Sequence, residues 1–235
     1  MTLLAILIFI TLATLLLVSI LNRIQQRQRQ RRQQQRRLRL QVEALQDMLQ
    51  CLEQTLANPT IARHINDRII DLLNQILALE DRHTEHIETA IHKAEAYANQ
   101  LTSPGYTNRA SYQRDSDAQI AKSQAHLLEV IDLMPHLAVQ GKISEVELDI
   151  YRKELRWAHL MVAVMSFVAQ GDKCMAISDR FSAQAFYRKA QQLLMESLDP
   201  DPRRLKLIKE LSELIDGSRN NLSRDLSEPK RLSLA

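Results

Sequence analysis

The chain opens with an apolar stretch that is long enough to cross a bilayer. Residues 3–21 contain no charged side chain. A helix of about 19 residues at about 1.5 Å per residue spans roughly 28 Å, close to the thickness of a hydrocarbon core. No basic stretch precedes this run and no small-residue cleavage site follows it, which distinguishes it from a secretory signal. The pattern predicts a retained transmembrane anchor over residues 1–21.

A strip made almost only of Arg and Gln follows the apolar run. Residues 22–40 contain no acid. Basic residues beside a membrane span stay on the cytoplasmic side, so the strip predicts an outside N-terminus and a cytoplasmic body, with a bacterial inner membrane as the favoured case. The strip either contacts anionic lipid head groups or serves topology alone. The arginines concerned are Arg23, Arg27, Arg29, Arg31, Arg32, Arg36, Arg37 and Arg39.

From Leu38 onward, apolar residues alternate in steps of four and three. This spacing is a heptad seam, but it covers fewer than three heptads and is too short to define a coiled coil. Packing on another helix of the same chain and self-association both remain open. Pro59 is expected to end this helix, because proline restricts the residue before it. The seam consists of Leu38, Val42, Leu45, Leu49, Leu52 and Leu56.

The rest of the apolar pattern predicts an antiparallel bundle of long helices over residues 41–217. A second helix is expected from about 60 to 101, with an apolar stripe that includes Ile65, Ile69, Leu72, Ile76, Leu79 and Ile87. Residues 102–117 have little periodicity and predict a flexible connection. A third helix is expected from about residue 118, and Pro135 should kink or end it.

Three further helices follow in the pattern. Ser144 and Glu147 form a capping box at the start of a helix that is apolar nearly all round between Trp157 and Ala169. This is the predicted core helix. Ser178 or Asp179 can cap a helix to about residue 198, and a last helix should run from Asp201–Pro202 to Gly217. The polar residues 218–235 predict a disordered tail.

Composition narrows the classes of partner. The chain has 31 basic and 28 acidic residues; without the eight arginines of the strip, 23 basic residues face 28 acidic ones, a difference of −5. The basic character is therefore local to the strip. Because the strip also lacks aromatic residues to stack bases, we expect no nucleic acid partner. The expected partners are membrane lipid and either another protein or a second copy of the chain.

Candidate metal ligands lie in the second predicted helix. Glu80 and His83 have the Glu-x-x-His spacing of di-iron carboxylate bundles, and His86 is close by. A complete site needs a second such pair, which the chain does not contain. Nor does it contain a recognisable nucleophile–base arrangement or a Gly-rich phosphate loop. The sequence favours a protein that is not an enzyme and has no cofactor; a helical metal-binding protein or enzyme is the alternative.

Small and aromatic residues recur between Phe167 and Leu194 at the spacing of two closely packed helices. Gly171 holds the small position of the first helix, and Ala183, Tyr187 and Ala190 follow the spacing of the second. On these residues the segment of about 164–197 resembles one tetratricopeptide repeat. No second copy lies on either side, and no family is indicated for the whole chain. The resemblance implies a helical hairpin that binds protein or peptide in a groove.

Together these features predict a single-pass membrane protein whose cytoplasmic helical domain recruits another protein to the membrane. The leading rival is a structural spacer, in which the heptad seam and the stripe of the second helix self-associate as a coiled-coil rod.

Overall fold

The computed structural model describes the backbone of residues 2–80, 84–103 and 105–229. From residue 22 onward it also describes the side chains of these ranges, except those of Ile24 and Arg27. Within the described residues the protein is all-α, without strands, as the sequence predicts. The helices are α1 (Thr2–Thr55), α2 (Pro59–Leu79), α3 (Glu85–Leu101), α4 (Asp117–Val139), α5 (Glu145–Ala176), α6 (Arg180–Glu196), α7 (Arg203–Asp216) and α8 (Arg224–Ser227).

The membrane prediction falls on residues 1–21, whose side chains lie outside the described set. In the remainder, which is described, no helix combines the length and apolar character that a membrane crossing requires.

Helix α1 runs without a break through the strip and into the body. From Asn22 to Gln34 every described side chain is exposed. Gln35 Nε2 donates a hydrogen bond to the Leu79 carbonyl at 3.0 Å, which links α1 to the end of α2. Most of the heptad seam is buried against α2 and α4 of the same chain, and Leu38 and Leu49 are partly buried beside it. The seam is therefore used within one chain.

The prediction of one helix over residues 60–101 is wrong, because two helices, α2 and α3, occupy this range. Glu80 leaves the helical conformation, with φ −94° and ψ 124°. Helix α3 then returns along α2, and Asn66 Nδ2 of α2 donates to the Ala94 carbonyl of α3 at 2.8 Å. This fold-back buries Ile87 and Ile91 against α2, whereas a straight helix would leave them in water.

The connection predicted to be flexible is an ordered strap over residues 106–116. Its backbone and side chains pair with the C-terminal end of α1: Asn108 Nδ2 donates to the Glu53 and Leu56 carbonyls at 3.0 and 2.6 Å. The Ser111 amide donates to the Gln54 carbonyl at 2.8 Å. The last carbonyls of a helix lack partners within the helix, so the strap supplies the hydrogen-bond donors that these carbonyls of α1 accept.

Arg114 fastens this strap to three helices. Its backbone amide donates to Ser166 Oγ of α5 at 2.9 Å. Its guanidinium donates to Thr55 Oγ1 of α1 at 2.7 Å and to Ser123 Oγ of α4 at 2.9 Å. A polar segment without apolar periodicity is thus ordered by hydrogen bonds.

Of the two local predictions for α4 and α5, a proline that ends α4 and a capping box that begins α5, only the second is confirmed. Helix α4 continues to Val139, beyond Pro135, so the proline does not end it. The predicted capping box at Ser144 is confirmed, because Ser144 Oγ accepts from the Glu147 amide and Glu147 Oε2 accepts from the Ser144 amide. From Trp157 to Val168 only His159 and Leu160 are not fully buried. Helix α5 is the core helix, covered by α4 on one side and α6 on another.

The hairpin of α5 and α6 depends on a close approach at Gly171. A Cβ atom built on Gly171 would lie 2.8 Å from Cδ1 of Tyr187 and closer still to Cε1. Ala183 and Ala190 are fully buried in the same contact. Helix α6 is capped by Asp179, as predicted, and α7 ends at Gly217 with φ 78°.

Residues 218–229, assigned above to a disordered tail, fold back onto α7. The buried carboxylate of Glu210 accepts hydrogen bonds from the amide and hydroxyl of Ser223 at 2.8 and 2.7 Å. Arg219 also pairs with Glu210 at 3.2 Å, and Leu226 of α8 is buried. The composition of this segment is polar, but one buried acid and one buried leucine are enough to attach it.

We expect Gly171→Ala to destabilise the fold by ~1–3 kcal/mol, because the new methyl group would overlap the Tyr187 ring. This overlap should outweigh the ~1 kcal/mol that alanine gains over glycine inside a helix. Urea unfolding of the chain from residue 22 onward measures the change. The matched control is Gly105→Ala, where nothing lies within 4 Å of the added atom. A Gly171→Ala protein as stable as the parent would contradict the close approach.

Candidate functional site

One candidate site that combines apolar walls with several charged groups is a cleft of about 390 Å³ between α5, the strap and the connection that joins α6 to α7. We call it the Glu154 cleft. Its apolar lining comes from two residues of α5, Ile150 and Trp157, and two prolines of the connection, Pro200 and Pro202. Its polar lining consists of Tyr112, Lys153, Glu154, Asp199, Asp201 and Arg203. Apolar walls with a few convergent polar groups are typical of binding sites.

Glu154 is the acid within this lining that belongs to the core helix. Its Oε2 accepts a hydrogen bond from Nδ2 of Asn58 at 3.4 Å. Burial raises the pKa of the Glu154 carboxyl to about 7, and the Asn58 hydrogen bond and the Arg203 charge offset burial only in part. Near neutral pH the carboxyl therefore exchanges readily between its charged and neutral forms.

Arg203 closes one side of the cleft and is already paired. Its Nε and Nη2 donate to both carboxylate oxygens of Asp201 over 2.6–3.1 Å. The guanidinium carbon lies 4.4 Å from the centre of the Trp157 ring, a cation–π contact. This arrangement fixes the indole and neutralises the arginine.

Tyr112 extends from the strap into the same cleft. Its side chain is 4% exposed. Burial strongly raises the pKa of the Tyr112 hydroxyl, and the nearby charges of Glu154 and Asp201 act in the same direction, while Arg203 opposes them. The hydroxyl thus stays protonated and can donate or accept a hydrogen bond.

The predicted hairpin residues have a packing role. Gly171, Ala183 and Ala190 are buried between the helices. Tyr187 is buried in the same contact and also lines a cleft of about 550 Å³ between α5, α6 and α7. The hydroxyl of Tyr187 donates to Asp172 Oδ1 at 2.7 Å. This geometry agrees with the close hairpin that the repeat resemblance implies, and it leaves the peptide-binding part of that resemblance as a prediction.

The arginines predicted to contact lipid are distributed around α1 rather than along one stripe, because their spacing covers all directions at 100° per residue. Those with described side chains are exposed, and the side chain of Arg27 lies outside the described set. Arg39 Nη2 lies 3.2 Å from Glu80 Oε2 and so belongs to the body.

Two of the predicted metal ligands, Glu80 and His86, do not share one helical face. Glu80 caps α2 in an extended conformation, and its carboxylate bonds to Arg39 and Gln35. His86 belongs to α3, and His83 lies outside the described residues. No group of three or more His, Cys, Asp or Glu side chains suited to a metal ion occurs in the part of the chain that the structure describes.

The sequence alone did not predict that the residues of the Glu154 cleft form a site. One signal was available: Glu154 precedes the single tryptophan of the chain by three positions, so both lie on one side of the core helix. Tyr112 gave no signal, because its burial depends on the order of the strap.

Comparison of the chain with protein-family models, with curated proteins and with solved structures gives no match. The assignment of a function therefore depends on the residues themselves.

The pKa of Glu154 predicts a pH dependence of stability. The folded-state pKa of about 7 lies above the ordinary value of 4.5, so the folded protein binds more protons between these two pH values. The contribution of Glu154 to the free energy of unfolding therefore falls as pH rises from about 4.5 to 7 and is constant above. Urea unfolding of the chain from residue 22 onward, at several pH values, should show this fall in the parent relative to Glu154→Gln.

The matched control is Glu145→Gln, an exposed acid on the first turn of the same helix. It removes one carboxylate outside the cleft and so separates a general effect of charge from the effect of Glu154. If the curve for Glu154→Gln runs parallel to the parent curve, Glu154 does not titrate near pH 7.

Proposed function

We propose that the protein is a single-pass membrane-anchored adaptor with no enzymatic role, which recruits a protein partner to the cytoplasmic face of the membrane and binds it in the Glu154 cleft. The observation that carries the proposal is this cleft, because three separate segments contribute to it and its polar groups are already oriented. Preorganised apolar clefts of this kind suit recognition.

The membrane anchor in this proposal is supported by the amino-acid sequence. The apolar run of residues 3–21 and the acid-free strip after it favour a span with a cytoplasmic body. Helix α1 is continuous from the strip to Thr55, and residues 22–55 correspond to a length of roughly 50 Å. Asn58, just after α1, bonds to Glu154. An anchored α1 would therefore hold the cleft well clear of the lipid head groups.

Recruitment is better supported than the rod of self-associating helices. The apolar residues that such a rod needs, among them Val42, Leu52 and Ile65, are buried within one chain. They offer no surface to a second copy. Tethering also raises the local concentration of any partner that visits the membrane, so modest affinity at the cleft is sufficient.

A photocrosslinking residue at Lys153 of the full-length protein tests the proposal in native membranes. Lys153 lines the cleft and is exposed, so benzoylphenylalanine fits there without disturbing the core. We expect one adduct of defined mass. The matched control is Val146, which is 70% exposed on the same helix and does not line the cleft; it should give no such adduct.

The same experiment on a chain lacking residues 1–21 tests the anchor, because that chain keeps every described side-chain contact. It should leave the membrane fraction, and the adduct at position 153 should become weaker. Equal adducts at positions 146 and 153 would contradict binding at the cleft. Retention of the shortened chain in membranes would contradict the anchor.

A further inference from the structure

Two polar groups that line the Glu154 cleft have hydrogen-bonding capacity that no described residue uses. The hydroxyl of Tyr112, on a side chain that is only 4% exposed, bonds to no described residue. Glu154 has only the long contact from Asn58, so among the described residues nothing donates to Oε1. Both groups open into one cavity, where a ligand can complete their hydrogen bonds.

The charge that is left over in the cleft is negative. Arg203 is neutralised by Asp201, and Lys153 is paired with Asp149 at 2.7 Å. Glu154 and Asp199 then remain without an ion-pair partner among the described residues. Asp199 accepts only the backbone amide of Asp201, at 3.0 Å. A cation complements this arrangement, whereas a carboxylate or phosphate would meet two acids.

The lining of the cleft favours a cation that carries an alkyl chain. Ile150, Pro200 and Pro202 offer an apolar path beside the acids, which suits an alkyl chain. The volume of about 390 Å³ is near the lower limit of ligand sites, so it holds one extended side chain. The stacking face of Trp157 is already occupied by Arg203, which removes the surface that a second guanidinium would use.

We infer that the cleft recognises a primary ammonium group, supplied by a lysine side chain of the protein partner, with the Glu154 carboxylate and the Tyr112 hydroxyl as acceptors. This inference rests on the proposed function, whose partner class it narrows. An ammonium donates three hydrogen bonds from one atom and so satisfies acceptors on separate segments.

Recognition of a cation requires the charged form of Glu154, so affinity depends on pH. The groups that face Glu154 are Asn58 from the start of α2, Tyr112 from the strap, Lys153 of α5, Asp199 and Asp201 from the connection, and Arg203 of α7. Burial raises the pKa of Glu154 to about 7. The ionised fraction rises about tenfold from pH 6 to pH 8, and affinity should rise by the same factor.

The test uses the full-length protein in detergent micelles and the peptide acetyl-Ala-Lys-Ala-amide as the probe. Trp157 is the only tryptophan of the chain, so its fluorescence reports on the cleft. We expect saturable binding at pH 8 that is about tenfold weaker at pH 6. The same peptide with acetylated lysine should not bind. Glu154→Gln should weaken binding at least tenfold, while the exposed-site control Glu145→Gln leaves it unchanged.

Equal binding of the acetylated peptide, or full affinity in Glu154→Gln, would overturn the inference. Tighter binding of free 1,5-diaminopentane than of the peptide would also overturn it, since the ligand would then be a small amine. The two proposals fail separately. A membrane-dependent adduct at position 153 without lysine selectivity contradicts the ammonium inference alone, and lysine-selective binding without that adduct contradicts the recruitment of a partner at the cleft.

Discussion

The burial of α5 on all sides is the constraint on which the rest of the structure depends. Between Trp157 and Val168 the helix has almost no polar face, so every direction around it needs a neighbour. Each large apolar side chain that is fully buried contributes ~1.5–3 kcal/mol, and a domain has only about 5–15 kcal/mol of net stability. A few uncovered side chains would therefore remove the fold. Helices α4 and α6 cover two sides, and the strap covers a third, where Arg114 bonds to Ser166.

The Glu154 cleft arises where this cover ends. Helix α6 ends at Glu196 and α7 begins at Arg203, so a short connection with two prolines passes over the first part of the apolar segment. This connection lies near α5 but does not fill the space above Glu154. The carboxyl is thereby partly removed from water, and the charge of Arg203 offsets this burial only in part, which is why its pKa is raised. The incomplete cover raises the pKa of Glu154, and it also leaves space above the carboxyl for a ligand.

Local chemistry explains what the sequence could predict. The capping box at Ser144, the cap at Asp179 and the helix end at Gly217 each depend on neighbours within a few residues, and all three are confirmed. The close approach at Gly171 could also be predicted, because the spacing of small residues in two adjacent helices determines it. These signals need no knowledge of distant contacts.

Distant contacts explain the rest. The apolar stripe stays in phase across the break after Leu79, so periodicity alone could not separate α2 from α3. The order of the strap comes from the end carbonyls of α1, more than fifty positions away in the case of Asn108. Glu154 resembles any helical acid until the connection and the strap enclose it. Its role could be recognised only once these elements were assembled.

The central claim is that the Glu154 carboxyl is held without a cation until a partner supplies one. Carbon-13 NMR of the glutamate side-chain carboxyls, with Glu154 assigned through Glu154→Gln, measures this directly in the full-length protein. We expect an apparent pKa of about 7 for Glu154 in the free protein and a clear decrease when the lysine peptide is saturating. A Glu154 pKa that is ordinary in the free protein, or that the bound peptide leaves unchanged, would contradict it.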